Sequence, residues 1–150
     1  MSVTTTTRSL CTFWLAGQCY GVDVLDVQEV LMVNELTRVP CAPDIVEGLM
    51  NLRGLILTAI DLRRRMQLPE RAKDSVAASI VVRAEDGPVS LLVDKIGDVV
   101  EIGPETFEPA PDAASGSARE LVIGAYKLDG VLLLELDTKR VIADPTAAAV

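Results

Sequence analysis

An internal repeat constrains this chain more than any other feature. Gly54-Leu55-Ile56-Leu57-Thr58-Ala59-Ile60-Asp61 matches Gly130-Val131-Leu132-Leu133-Leu134-Glu135-Leu136-Asp137 without a gap. Upstream, Gly17…Tyr20…Val27-Gln28-Glu29-Val30 matches Gly87…Val89…Ile96-Gly97-Asp98-Val99 with one gap. Both halves run in one order: hairpin, extended segment, linker, Gly-led strand, Asp. A unit this short has a marginal core by itself. The pattern therefore predicts two small β-barrels of about five strands each, fused and sharing a core. A groove between two such units is where a ligand or a partner helix would lie.

The local reading agrees. Leu10–Leu15 and Cys19–Asp23 form a hairpin around Ala16-Gly17-Gln18, and Val24–Val27 is one helical turn before an extended Gln28–Val33. Asp44 is placed to cap a short helical turn over Ile45–Gly48. Leu55–Leu57 and Ile60 form a strand that Asp61 ends, and Leu62–Leu68 has helical spacing. Ala78–Arg83, Val89–Asp94 and Ile96–Ile102 are extended. Gly103–Gly116 is a loop. Leu121–Leu128 and Val131–Leu136 form a hairpin at Asp129-Gly130, followed by a last helical turn in Asp137–Ile142. With 49% apolar but only 3% aromatic residues, the core must be aliphatic. One unit over residues 10–142 is expected, its two barrels dividing near 70–77, with disordered tails at 1–9 and 145–150.

Several kinds of chemistry are disfavoured. The chain has no histidine, which removes the commonest general base and metal ligand. Cys11, Cys19 and Cys41 lack metal-ligand spacing, so no metal or cofactor is expected, and three thiols without a secretory signal suggest a reducing cytoplasm. A net charge of −8 argues against nucleic acid. Arg63-Arg64-Arg65 reads as the solvated face of a short helix. Asp23, Asp61, Asp94 and Asp137 offer an acid dyad on paper, the basis of an alternative small hydrolase. All four lie at strand ends, where Asp satisfies turn backbone. The chain reads as a binding protein, not an enzyme.

The binding residues sit around Gly48–Leu62. Arg53 lies in an apolar run and must snorkel outward or meet a partner. Gly54 follows where the backbone needs positive φ or a close approach. Glu29 is the opposite charge, set in Val27-Gln28-Glu29-Val30-Leu31; by alternation Val27, Glu29 and Leu31 share one face. Glu29 and Arg53 can pair with each other or with a partner.

These residues resemble the CheW-like family of chemotaxis coupling proteins. The resemblance rests on Phe13-x-Leu15-x-Gly17-x-x-Tyr20-Gly21-Val22-Asp23-Val24-Leu25-x-Val27-Gln28-Glu29-Val30 and on Gly48-x-x-Asn51-Leu52-Arg53-Gly54-x-Ile56 with Ile60-Asp61-Leu62-Arg63. Leu92-Val93-Asp94, Pro109-Ala110-Pro111 and the Gly124 hairpin follow in the family order. The resemblance implies an all-β fold of two five-stranded SH3-like barrels with short helical turns, and a non-catalytic cytoplasmic adaptor. Its implied partners are chemoreceptor cytoplasmic tips and the regulatory domain of the histidine kinase CheA, brought together in membrane receptor arrays. An adaptor of another chemosensory pathway is the alternative. Carried over by position, Val27, Glu29, Gly48 and Arg53 face the receptor, and Leu36 and Thr37 face the kinase. Asp26 stands where Lys is frequent, Thr58-Ala59 where Pro and an aliphatic are, and Ser90 where Gly is common.

Overall fold

Tight turns fix the hairpins. Ala16 (φ 48°) and Gly17 (φ 82°) join β1 (Arg8–Leu15) to β2 (Gln18–Asp23). Two successive left-handed residues match the twist of antiparallel strands. The computed structural model describes residues 8–33, 36–70, 77–103, 107–109, 118–128 and 130–143. After β2 come a 3₁₀ turn (Val24–Asp26), β3 (Val27–Met32), β4 (Val46–Leu52), β5 (Leu55–Asp61) and α1 (Leu62–Arg65). The second half holds β6 (Ala78–Val82), β7 (Val89–Val93), β8 (Lys95–Ile102), β9 (Phe107–Pro109), α2 (Ala118–Leu121), β10 (Val122–Leu128), β11 (Val131–Leu136) and α3 (Thr138–Ile142).

The strands form two sheets, ordered β8-β1-β2-β11-β10-β9 and β3-β6-β7-β5-β4. The all-β, two-barrel expectation holds; the first sheet carries six strands rather than five because β9 lies inside the segment expected to be loop. Each sheet curls on its own apolar filling. Leu31 of β3 and Met50 and Leu52 of β4, from opposite edges, share one cluster with Leu57 and Val81. Leu10, Cys19, Ile102, Tyr126 and Leu133 fill the other. Alternation then sends Phe13, Val22, Ile80, Val82, Leu91 and Leu134 into a third, largest cluster between the sheets.

The repeat survives to single hydrogen bonds. The Asp61 amide donates to Ile45 O at 2.7 Å, and the Asp137 amide to Leu121 O at 2.9 Å. Asp61 and Asp137 each cap the helix that follows, accepting from Arg63 N and Lys139 N at 3.0 Å. Arg64 reaches back to Asp44 O and Arg140 to Glu120 O, both at 3.1 Å. The register shift between Val46 and Gly48 recurs between Val122 and Gly124.

The two copies are not simply side by side. Hairpin β1–β2 belongs to the sheet of β8, β10 and β11, whereas its counterpart β6–β7 belongs to the sheet of β3, β4 and β5. Each hairpin runs beside the other copy's Gly-led strand: β2 parallel to β11, and β7 parallel to β5. The chain therefore changes sheet at Val24–Asp26 and again at Asp94, not near 70–77; residues 71–76 lie outside those described. This reciprocal exchange places most of the core between the barrels.

Three further expectations change. Arg8 and Ser9 belong to β1, because Arg8 is tied to Glu135 and Asp23, so the expected N-terminal tail reaches no further than residue 7; residues 1–7 and 144–150 lie outside the description. Of the turn expected over Ile45–Gly48, Val46–Gly48 is strand, not helix, because it pairs with β5, Val46 opposite Ile60 and Gly48 opposite Ala59. The three arginines of α1 are half-buried and engaged. Arg63 pairs with Asp94, and Arg65 donates to Val141 O and Arg140 O, so α1 stitches one barrel to the other.

Candidate functional site

The turn between β4 and β5 is Leu52-Arg53-Gly54-Leu55. Arg53 (φ 51°) and Gly54 (φ 88°) are both left-handed. That geometry suits Gly at the second position but is unusual for Arg at the first. Asn51 steadies it: its side-chain oxygen accepts from the Gly54 amide at 2.9 Å. A residue held in this region costs on the order of 1–3 kcal/mol, and such strain collects at functional sites.

The turn presents Arg53 to Glu29. Nη1 donates to Glu29 Oε2 at 2.9 Å, and Nη2 donates to Oε1 in a second, shorter bond. The fork-on-fork pair joins the tip of the β4–β5 hairpin to β3, the opposite edge of the same sheet. The Arg53 hydrogen bonds hold the Glu29 carboxyl below the ordinary carboxylate range, and Glu29 raises Arg53 in turn. The Arg53 side chain stays 72% exposed, so the pair is a surface feature.

Register corrects the reading of β3. Val27 lies opposite Val82, Val30 opposite Ile80 and Met32 opposite Ala78, while Glu29 lies opposite Val81 after a register shift. The bulge turns Val27 onto the face of Val30 and Met32, away from Glu29. Val27 packs against the inter-barrel core, whereas Val30 and Met32 are exposed. These two apolar residues beside Glu29 went unassigned from sequence, although their alternation with it was visible.

Gly48 is buried. A Cβ there would lie 2.6 Å from Thr37 O. Its bareness lets Thr37 exchange two backbone bonds with Leu49, at 2.9 and 2.7 Å. Leu36 packs on the cluster around Met50 and Leu57, and Thr37 is exposed. Five of the six residues therefore fall into two groups on one barrel: Glu29 with Arg53, and Gly48 with Leu36 and Thr37. Val27 stands apart at the inter-barrel core.

The four strand-end carboxylates are occupied. Asp23 accepts from Leu25 N and Arg8, Asp61 and Asp137 cap α1 and α3, and Asp94 accepts from Ala16 N at 3.0 Å while paired with Arg63. Of the unusual residues, Asp26 accepts from Thr138 Oγ1 at 3.2 Å, and Ser90 shares a hydrogen bond with Ser79 inside the barrel.

The sequence profile of the CheW-like domain matches residues 9–146. A chemotaxis protein CheW of Klebsiella aerogenes is 32% identical, the alignment covering 92% of this chain and 83% of that one. A chemotaxis protein CheW of Treponema pallidum is 30% identical, over 91% of this chain and 83% of the relative. Among solved structures, the scaffolding protein TtCheW of Thermoanaerobacter tengcongensis superimposes with a TM-score of 0.82 at 28% identity, covering 93% of this chain and 95% of that one.

Proposed function

Because this chain belongs to the CheW-like family of non-catalytic chemotaxis scaffolds, we propose that it couples chemoreceptor cytoplasmic tips to the regulatory domain of a CheA-like histidine kinase. The observation that carries this reading is the strained, exposed Arg53 turn locked onto Glu29 across the open edges of one barrel. A turn held in that geometry displays a fixed pair of charges to a helical partner, which favours recognition over catalysis. Of Val27, Glu29, Gly48 and Arg53, the receptor side in this reading, Glu29 and Arg53 make the exposed contact, while Gly48 acts through backbone packing and Val27 by seating β3 on the inter-barrel core. Leu36 and Thr37, on the segment that Gly48 admits, form the kinase side. The mechanism is assembly: holding both partners in one array lets receptor state bias kinase activity. The protein then acts in the cytoplasm, next to the membrane that carries the receptors. No described helix is long and apolar enough to cross that membrane.

Copurification tests the reading. Tagged protein should retain a receptor signalling fragment and the kinase regulatory domain together. Failure to retain either one removes the coupling assignment and leaves a CheW-like scaffold of another chemosensory pathway.

A further inference from the structure

The internal repeat makes the two ends of the inter-barrel junction comparable, and they are not filled alike. At one end, Leu15, Tyr20 and Leu134 are buried in the shared core, and Arg63 of α1 pairs with Asp94 at 2.5 Å. Register and repeat place Ala84, Val89 and Thr58 at the matching positions of the other end, with Lys139 for Arg63 and Leu25 for Asp94. Every apolar side chain is smaller there, and the carboxylate is gone.

The result is a cleft of about 840 Å³ between the β6–β7 turn, β5 and the end of α3. Thr58, Val89 and Ile142 line it, with Arg83 and Lys139 among its lining cations. Arg83 is committed to Leu25 O and Val27 O, both at 2.9 Å. The Lys139 ammonium has no carboxylate among the described residues. Glu85 and Asp86 of the turn also line the cleft, so its field is mixed, and the cation matching Arg63 is the one left over.

We infer that this cleft is a docking site for a short segment of a partner polypeptide carrying one large apolar side chain and one carboxylate near it. The apolar side chain takes the place that Leu15 and Tyr20 fill at the closed end, and the carboxylate meets Lys139 as Asp94 meets Arg63. Neither Glu29 nor Arg53 lines the cleft, and the inference stands whether or not that pair contacts a receptor.

The test uses capped pentapeptides bearing one Leu or Tyr and one Asp at each spacing, titrated into the isotopically labelled full chain. At least one spacing should shift the amides of Thr58, Val89 and Ile142. Replacing its Asp with Asn, or Lys139→Gln in the protein, should weaken binding about fivefold, as befits a partly exposed ion pair. Lys139→Glu should abolish it. Absence of cleft shifts at millimolar peptide, or equal binding of the Asp and Asn peptides, overturns the inference.

Discussion

Glu135 points into the six-stranded barrel, where its repeat counterpart is Ala59, and it is 1% exposed. Arg8 answers it with bonds of 2.5 and 3.0 Å to the two carboxylate oxygens. Arg8 also donates to Tyr126 Oη at 3.0 Å and to Asp23 at 3.1 Å, and Tyr126 donates to Glu135 at 3.1 Å. The Glu135 bonds, first among several causes, hold the Arg8 guanidinium more firmly protonated than usual. Arg8→Met leaves a buried carboxylate facing only Tyr126. Breaking a fully buried pair from one side costs about 3–5 kcal/mol. The Arg8 side chain is 39% exposed, so water can enter the vacated space. We therefore expect a loss of about 2–3 kcal/mol, a fall in Tm of roughly 5–10 °C for a chain this size. Glu135→Leu alone should cost about 1 kcal/mol, because Arg8 keeps Asp23 and solvent. The double variant should be more stable than the summed single losses imply, by about 1 kcal/mol or more. Urea and thermal denaturation followed by circular dichroism measure all four proteins. Additivity within about 0.5 kcal/mol would refute the reasoning, since the two side chains would then not act as a pair.

Other consequences follow from the same geometry. Gly48→Ala should cost roughly 1–3 kcal/mol in urea denaturation and speed hydrogen exchange at the Leu49 amide, because its Cβ meets Thr37 O at 2.6 Å. The Glu29 carboxyl should titrate below the ordinary range by NMR, and Arg53→Gln should return it there. Its folded-state pKa is depressed, so whatever stability the pair supplies is present above the unfolded value and fades as pH falls through the folded one. Cys41 is exposed, whereas burial raises the Cys11 and Cys19 thiols. An alkylating agent at neutral pH should modify one thiol quickly and two slowly; three equal rates would contradict the described core.

Much of the architecture was readable because the repeat is written in residue types that strands and caps demand. Asp61 and Asp137 end strands and cap helices as their spacing indicates, and Gly54 takes the positive φ expected of it. The exchange of hairpins was not readable. Similarity between β1–β2 and β6–β7 says that both are hairpins, but only long-range pairing says which sheet each joins. The face of Val27 was misread because one bulge inverts alternation, and no residue at Gln28 announces it. Ile45–Gly48 reads as a helical turn after Asp44, but Val46–Gly48 is strand because it pairs with β5, a contact made more than ten residues away in sequence. Arg53 and Glu29 were singled out as opposite charges of like setting. Their union required the sheet to curl until its edges met, which no local pattern encodes.

The most direct test of the coupling role is retention of the two partners by Arg53→Glu beside the unaltered chain, with circular dichroism confirming the fold of both. The account predicts that the unaltered chain holds receptor fragment and kinase regulatory domain, and that Arg53→Glu, still folded, loses the receptor and keeps the kinase. Receptor retained at full strength by a folded Arg53→Glu, or a variant that no longer folds, would contradict the assignment of the Arg53 turn as a recognition surface.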